Sequence, residues 1–419
     1  MKKFILLVSL FMVFGLVSCG EETTTEAAGT ETTTAEATTA EPVELSMVWW
    51  NDGTEGQVMQ GLLDQYETET GVVITMTDVP YNDYEANLAT NIAGGEVPDL
   101  GRVTEGHMNN FQDHILGLND VFDTTGFANI FFNDEGQALG LPLDVTANGM
   151  YVNTTLLDAN GVVYPDVDGS WTWSEFYTEM SKLDGATGVA APGLFDHQGH
   201  RFMSIIYQAG ITIWDEPYTS TNLTDPDVVD QVSMIMDWYD EGFLSEDTYT
   251  AFDSASLFKS GQYGFHMSGS WNVSGYDAAI TTFDWAVVPM PSGVTRATIL
   301  GGKALCAFDG SGNEDAAKAF IEWFAEPEQH DAFTEGVPFL TPRIGAVVDY
   351  GDLTTQYNVF LSEIAATSQA ATSDWLTQVM IPGMYPIIND FAEKVALSDD
   401  TALKLLQDLE AALIAAAAE

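Results

Sequence analysis

Apolar residues recur along most of the chain at either two-residue or helical spacing, and the two kinds of segment alternate. Residues 44–50 alternate as a strand, residues 58–66 have helical spacing before Gly71, and residues 72–79 predict a second strand. Strand, helix and strand in succession indicate an open α/β sheet. In such sheets, ligands bind beyond the carboxyl ends of the strands.

Polar residues follow the first predicted strand at that position. Trp50, Asn51, Asp52 and Glu55 are therefore expected at the mouth of a binding site. Asp52 can instead cap the helix that follows, because an aspartate accepts hydrogen bonds from the free amides of a helix start. Trp49 is expected in the core.

The stretch 139–153 departs from this rhythm. An apolar run closes at Pro142, a small polar passage runs from Asp144 to Gly149, and alternation then resumes up to Asn153. Proline lacks an amide donor and fits poorly in a central strand. We therefore predict that the chain leaves one sheet here and enters another. An ordinary loop within one domain is the alternative.

Later segments continue the alternation of strands and helices. The pattern predicts strands at 189–194, 264–267, 285–288 and 298–308, and helices at 83–93, 202–209, 227–241, 314–325, 356–369 and 384–417. About 375 residues follow position 42, a length that favours two lobes over one core. The alanine-rich end is too interrupted by acidic residues to span a membrane.

The first residues read as an export signal. Lys2 and Lys3 precede an apolar run that ends at Val17, as in a secretory signal peptide. The sequence Leu16-Val17-Ser18-Cys19 is similar to a bacterial lipobox, which predicts acylation of Cys19. A plain signal peptide with an incidental cysteine is the alternative. Two or more acyl chains would anchor the protein stably to a membrane.

Residues 20–42 predict a tether. They consist almost wholly of Glu, Thr, Ala and Gly, without aromatic residues or apolar periodicity. Such a segment cannot bury enough apolar surface to offset its loss of conformational entropy. We expect a disordered linker between the anchor and the folded part.

The charge of the chain is strongly negative. With 63 acidic and 12 basic residues, the formal net charge is −51. This excludes nucleic acid and anionic membrane surfaces as partners, because phosphate contacts need Lys and Arg. It also disfavours anionic substrates. It suggests a saline habitat, where salt screens self-repulsion. Calcium binding is the rival explanation, but the acids at 166, 168 and 175 lack the spacing of a calcium loop.

Cysteine and histidine offer no reactive or metal-binding pattern. Besides Cys19 there is only Cys306, in an apolar run that predicts a buried, inert thiol. No Cys or His cluster has the spacing of a metal site. We expect neither a metal nor a cofactor.

Several motifs resemble one known family when their order is considered. Gly140-Leu141-Pro142, then Tyr151-x-Asn153 and a short helix ending in Ala159-Asn160-Gly161, are similar to the extracellular solute-binding proteins of ABC sugar importers. These are the family 1 proteins of the maltose-binding-protein type, and the resemblance runs from about residue 43 to 415.

The resemblance implies a type II periplasmic-binding-protein fold, with two α/β lobes, a hinge and a ligand cleft. The implied boundaries are 1–19 for the lipoprotein signal and 20–42 for the tether. Lobe 1 would comprise 43–143 and 296–345, and lobe 2 would comprise 144–295 and 346–419.

The resemblance also implies positions for sugar contacts. Gly95-x-x-Pro98-Asp99 is similar to the element entering the third strand, after which the family places contacts at Thr104 and Glu105. The chain departs from the family here, because no tryptophan follows. In the segment after the 189–194 strand, the family places hydroxyl contacts, and here His200 and Arg201 follow. A structural carboxylate is the alternative partner for Arg201.

Further contacts follow from the same resemblance. Ser268-Gly269-Ser270-Trp271 is similar to a strand–Gly–x–Trp element, in which the tryptophan stacks on a sugar face. By contrast, Trp173 follows Thr172 at a helix start and is expected to be structural. The remaining candidate ligand-binding residues are Asp144, Gly301, Arg343, Trp375 and Tyr385.

These features together predict a non-catalytic binding protein outside the cytoplasm. It would be a monomer, lipid-anchored to the outer face of the bacterial membrane, that captures a neutral sugar or oligosaccharide and delivers it to an ABC permease. Closure would be a population shift driven by contacts to both lobes. The alternatives are a non-sugar solute, such as a polyol, peptide or polyamine, and a surface glycosidase with two paired carboxylates.

Overall fold

The computed structural model describes residues 43–133, 135–195, 198–216, 218–249, 253–337, 339–379, 381 and 383–418. The predictions for the signal peptide, Cys19 and the tether fall within residues 1–42 and lie outside the described residues. Residues 42–419 form one compact unit.

Two five-stranded sheets organise this unit. The strands are β1 Glu44–Trp49, β2 Val73–Asp78, β3 Leu100–Thr104, β4 Leu141–Pro142, β5 Thr146–Asn153, β6 Ala191–Phe195, β7 Trp214–Glu216, β8 Ser220–Thr221, β9 Tyr263–Gly269, β10 Trp285–Val288, β11 Leu300–Gly301 and β12 Lys303–Ala307. The first sheet has the order β2-β1-β3-β12-β4, and the second has the order β10-β5-β9-β6 with β11 on β5. β7 and β8 form a separate hairpin.

The helices surround these sheets. They are α1 Glu55–Thr70, α2 Tyr81–Gly94, α3 Glu105–Phe111, α4 Thr154–Ala159, α5 Trp173–Met180, α6 His200–Tyr207, α7 Pro226–Asp240, α8 Ser254–Lys259, α9 Val273–Ala279, α10 Glu314–Ala325, α11 Pro327–Gly336, α12 Thr354–Ala366, α13 Gln369–Gln378, α14 Met384–Leu397 and α15 Ala402–Ala416. No helix within the described ranges is long and apolar enough to cross a membrane.

The predicted opening of the fold is confirmed. β1 pairs in parallel with both β2 and β3, and α1 and α2 connect the three strands. The carboxyl ends of the three strands therefore lie at one edge of the first sheet. The loop 50–55, Tyr81 and Glu105 follow directly at that edge.

The predicted passage between two sheets after Pro142 is confirmed. Pro142 pairs with Ala304 at the edge of the first sheet, and Thr146 begins β5 in the second sheet. An edge strand accepts proline because no ladder hydrogen bond needs its missing amide. The chain therefore changes sheets over residues 143–145.

The return passage differs from the prediction of one strand over 298–308. Leu300–Gly301 pairs with β5 in the second sheet, whereas Lys303 begins β12 in the first. Gly302 separates them and lies so close to Asp144 that a Cβ would be 2.4 Å from its carbonyl oxygen. The change of sheet thus comes after Gly301. The lobe boundaries themselves stay predictions.

The C-terminal helices belong with the second sheet. α12 contacts β5 and β10, while α14 and α15 pack on α7. The predicted helix over 384–417 is two helices, because α14 ends at Leu397 and Thr401 caps the start of α15. Trp173 and Cys306 are buried as expected, and burial raises the pKa of the Cys306 thiol well above its ordinary value.

Candidate functional site

Polar and aromatic side chains from both sheets meet between them. We define the first side as the residues that the first sheet carries, Asp52, Tyr81, Arg102, Glu105 and Lys303. We define the second side as the residues that the second sheet and its helices carry, His200, Arg201, Trp271 and Tyr385.

Arg102 is the centre of the first side. It lies on β3 and is 1 % exposed. Its Nη1 donates to the Trp50 carbonyl at 2.6 Å and to Glu55 Oε1 at 2.9 Å, and its Nη2 donates to Asp52 Oδ2 at 2.9 Å. Its guanidinium lies 4.5 Å from the Trp50 ring centroid. Arg102 therefore joins the end of β1 to the loop that follows it.

Glu55 is fully engaged within this loop. It is 1 % exposed, accepts from the Asp52 amide, and accepts at 2.8 Å from the Gly53 amide. Asp52 does not cap α1, because the residue at the cap position is Thr54 and makes no side-chain cap hydrogen bond. Glu55 thus shapes the loop that presents Asp52.

Lys303 extends the charge network to the passage between the sheets. Its Nζ lies 3.0 Å from Asp144 Oδ2 and 3.6 Å from Asp52 Oδ2. The Asp144 carboxylate also accepts from the Lys303 amide at 2.7 Å. Asp144 is 1 % exposed, and its contacts hold the inter-sheet segment.

Asp52 is the carboxylate of this network that reaches solvent. Its side chain is 29 % exposed, whereas the side chains of Glu55 and Asp144 are each 1 % exposed. Burial acts to raise the pKa of Asp52, but Lys303 and Arg102 outweigh it, so the pKa lies below its ordinary value. Asp52 is therefore ionised, and its exposed carboxylate can accept hydrogen bonds from a solute.

Glu105 connects the two sides. The Tyr385 hydroxyl of α14 donates to Glu105 Oε1 at 2.6 Å. Burial raises the pKa of Glu105, against the lowering effect of the Tyr385 hydrogen bond. The Gly301 backbone packs against this carboxylate, because a Cβ on Gly301 would be 3.1 Å from Glu105 Oε1. Nearby, Asn109 Nδ2 donates at 2.8 Å to the carbonyls of Val379 and Ile381.

Tyr81 is a site residue that sequence reasoning missed. It begins α2 directly after β2 and is 53 % exposed. Its ring centroid lies 5.4 Å from Trp50 and 5.9 Å from His107. Partial burial and the charges of Glu105 and Asp52 raise the pKa of Tyr81 to about 12, so its hydroxyl stays neutral. Its place after a parallel strand was the available signal.

The second side is built by stacking. The Arg201 guanidinium lies over the Trp271 ring, 4.8 Å from its centroid, and Arg201 Nη1 is 2.8 Å from His200 Nε2. The His200 ring is 6.1 Å from Trp271 and 6.4 Å from Tyr385. Through Tyr385, whose hydroxyl donates to Glu105, the second side therefore meets the first.

Other predicted site residues lie away from this meeting point or beneath it. Trp50 and Trp375 are each 1 % exposed, and Trp375 Nε1 donates to the Leu300 carbonyl at 2.5 Å. Asn51 accepts from the Gly56 amide at 2.9 Å, and Thr104 caps α3. Arg343 pairs with Asp331 at 2.5 Å. Their roles as ligand contacts stay predictions.

The site can bind an uncharged, hydroxyl-rich molecule. It offers an exposed ring, two carboxylates and one guanidinium, which suits a ligand with apolar faces and several hydroxyls. Among the described residues, no group of three or more His, Cys, Asp and Glu side chains is arranged to hold a metal ion.

Comparison with known families identifies the class of protein. The family described as bacterial extracellular solute-binding protein matches residues 61–356. The chain belongs to this family. A protein of Brucella abortus named only as a binding protein is 22 % identical over 305 residues, which are 68 % of this chain and 72 % of that protein.

Solved structures share the fold of this solute-binding protein. An ABC substrate-binding protein from Listeria monocytogenes, in complex with cycloalternan, has a TM-score of 0.76 at 19 % identity, covering 89 % of this chain and 98 % of that one. UgpB from Mycobacterium tuberculosis, in complex with glycerophosphocholine, has a TM-score of 0.74 at 21 % identity and covers 90 % of this chain and 98 % of its own. A cyclic maltosyl-maltose binding protein from Arthrobacter globiformis has a TM-score of 0.70 at 21 % identity and covers 90 % of this chain and 99 % of its own. The two-lobed fold predicted from the sequence is confirmed.

Proposed function

We propose that this solute-binding protein captures a neutral sugar or oligosaccharide between its two sides and delivers it to an ABC permease. The main support is that exposed Tyr81 shares one sheet edge with two carboxylates, Asp52 and Glu105, and that Tyr385 of the second side donates to Glu105. A pyranose offers apolar C–H faces to a ring and hydroxyls to such acceptors. One of the similar structures is a complex with cycloalternan, and another is of a protein named for binding cyclic maltosyl-maltose, which agrees with this choice.

A non-sugar solute is the second candidate. Two carboxylates near aromatic rings also suit a cation, and one similar structure holds glycerophosphocholine. Against a polyamine stands the positive charge of Arg201 on the second side of the site, where it contacts His200. A polyol would use the same acceptors as a sugar.

Catalysis is the third candidate, because the environment moves the pKa values of Asp52 and Glu105 in opposite directions. Paired acids of glycosidases share that property. Here each carboxylate has an internal partner, since Asp52 binds Arg102 and Glu105 binds Tyr385. We infer that both serve to bind and that no bond is cleaved.

The cellular setting is also a proposal. We propose a monomer anchored to the outer face of the bacterial membrane, and the lipobox at Cys19 and the tether over 20–42 support the anchor. We further propose that residues 43–143 and 296–345 move as lobe 1 against 144–295 and 346–419 as lobe 2 when a solute binds.

Thermal unfolding with a solute panel tests the proposed function. Neutral mono- and oligosaccharides, polyols, polyamines and glycerophosphodiesters are each added to the purified protein. A solute that binds only the folded state raises the midpoint of unfolding by mass action. A rise with a neutral sugar, and no product by chromatography, is expected. A rise confined to polyamines or phosphodiesters, a cleaved sugar, or no rise at all would contradict the proposal.

A further inference from the structure

Two aromatic side chains at the site could stack against a solute, and they differ in how exposed they are. Tyr81 of the first side is 53 % exposed. Trp271 of the second side is only partly exposed, and its ring is in contact with other groups. Different roles for the two rings rest on the proposed capture of a sugar and make it more specific.

The Gly269 backbone and the Arg201 guanidinium both contact the Trp271 ring. A Cβ on Gly269 would be 1.8 Å from Trp271 Cζ3 and 2.0 Å from Cη2, so the ring lies directly on the Gly269 backbone. The Arg201 guanidinium lies over the ring, 4.8 Å from its centroid. A sugar needs contacts of about 3.5–4.0 Å across an aromatic face. It could stack on that face only after Arg201 had moved.

Burial and a contact with His200 restrict the movement of Arg201. It is 4 % exposed, and its Nη1 lies 2.8 Å from His200 Nε2. Moving a buried charged group away from its contacts is costly. Trp271 therefore supports Arg201 and fixes the direction of its guanidinium.

Tyr81 has the opposite surroundings. One part of its ring packs on Trp50 and His107, at centroid distances of 5.4 and 5.9 Å, and half of the residue remains accessible. Asp52 and Glu105 follow the neighbouring parallel strands at the same edge of the first sheet as Tyr81. A sugar stacked on Tyr81 would thus have carboxylate acceptors for its hydroxyls along that edge.

We propose that the solute stacks on Tyr81, and that Trp271 is a positioning residue that acts through Arg201. Arg201 then supplies the hydrogen bonds of the second side, while the first side supplies both the aromatic platform and the carboxylates.

A double-mutant cycle separates the two roles of Trp271. The probe is the sugar with the largest shift in the panel above, and its affinity is measured by calorimetric titration. We expect Trp271→Ala and Arg201→Ala each to weaken binding at least tenfold. In the Arg201→Ala background, Trp271→Ala should have no further effect, because coupled residues are not additive. Trp271→Phe, which retains a ring under the guanidinium, should stay within threefold of wild type.

Tyr81 is tested with a matched pair of variants. Tyr81→Ala should weaken binding at least tenfold, whereas Tyr81→Phe, which retains the ring, should stay within threefold. Wild-type affinity in Tyr81→Ala would overturn the proposal. So would a further tenfold loss from Trp271→Ala in the Arg201→Ala background, since that result would mean direct stacking on Trp271.

A measurement without solute tests the cover on Trp271 independently. The fluorescence of Trp271 is the difference between wild type and Trp271→Phe, and acrylamide reports its accessibility. We expect quenching of this component to rise at least twofold in Arg201→Ala. Unchanged quenching would overturn the role of Arg201. A panel without any binding solute would contradict the proposed function, and the quenching result would still decide the contact.

Discussion

The two sides of the site are held in different ways. On the first side, Arg102 and Lys303 connect three carboxylates in a largely buried network, in which every cation contacts at least two partners. On the second side, Arg201 is positioned by stacking on Trp271 and by contact with His200. Ion pairs fix the side chains of the first side, whereas packing on an aromatic ring fixes the guanidinium of the second side. We infer that both sides are positioned before a solute arrives, the first by charge and the second by packing.

The largest expected effect comes from breaking the first side. Arg102→Ala leaves the carboxylate of Glu55, 1 % exposed, without its cation. Removing one partner of a buried pair costs about 3–5 kcal/mol in the free energy of unfolding, measured by denaturant titration. The control is Lys404→Ala, whose partner Asp408 is half-exposed and which should leave stability unchanged. A loss in Arg102→Ala no larger than in the control would refute the network.

The next effect is a pH dependence beneath the first side. Burial lowers the pKa of His107 to about 4, so the folded protein binds fewer protons than the unfolded chain between pH 4 and 6.5. The free energy of unfolding should therefore decrease as pH falls through this window, by about 3 kcal/mol from this residue, and be unaffected above it.

His107→Gln checks this prediction, because glutamine can still accept from the Thr104 amide as the imidazole does. In denaturant titrations at several pH values, the free energy of unfolding of this variant should change less between pH 6.5 and 4 than that of wild type. His114→Gln, at an exposed position, should retain the wild-type slope. Equal slopes in all three proteins would exclude a buried, neutral His107.

The second side should respond to packing instead of charge. Gly269→Ala places a Cβ inside the Trp271 ring and forces it to shift, which should cost about 1–3 kcal/mol of stability. Gly275→Ala in α9 has nothing within 4 Å of its Cβ and should stabilise the protein by about 0.5–1 kcal/mol. Thermal unfolding of both variants measures the contrast. A neutral result for Gly269→Ala would mean that the ring does not rest on this backbone.

The smallest effect concerns the hydrogen bond that joins the sides. Tyr385→Phe removes the donor to Glu105 and should cost about 1 kcal/mol. Because that hydrogen bond lowers the pKa of Glu105 against burial, its loss should raise the pKa further. Protonated Glu105 stabilises the folded protein, and this stabilisation is lost as pH rises through the pKa of Glu105 in the folded state. In Tyr385→Phe, where that pKa is higher, the decrease in the free energy of unfolding should therefore occur at higher pH. Superimposable stability–pH curves would disprove the contact.

Local chemistry accounts for what could be predicted from the sequence. The passage after Pro142 was predictable because a missing amide restricts proline to the edge of a sheet, where the structure has it. The helix start at Thr172 was predictable because the two residues that cap each other there, Thr172 and Glu175, lie within one helical turn.

Partners distant in sequence account for what could not be predicted. Asp52 could equally have capped α1, and only the fold brings Arg102 and Lys303 to it. Trp375 was indistinguishable from an exposed platform until its burial was known. Tyr81 stands outside any motif, and its exposure depends on the tertiary packing around it.

Calorimetric titration of the best neutral sugar into wild type and Asp52→Asn tests the central claim most directly. The control is Asp64→Asn, an exposed acid on α1 whose contact with Gln60 an asparagine can keep. We predict a saturable, product-free binding curve in wild type and control, and affinity at least tenfold weaker in Asp52→Asn. Equal affinity in all three proteins would place the solute elsewhere and contradict the account.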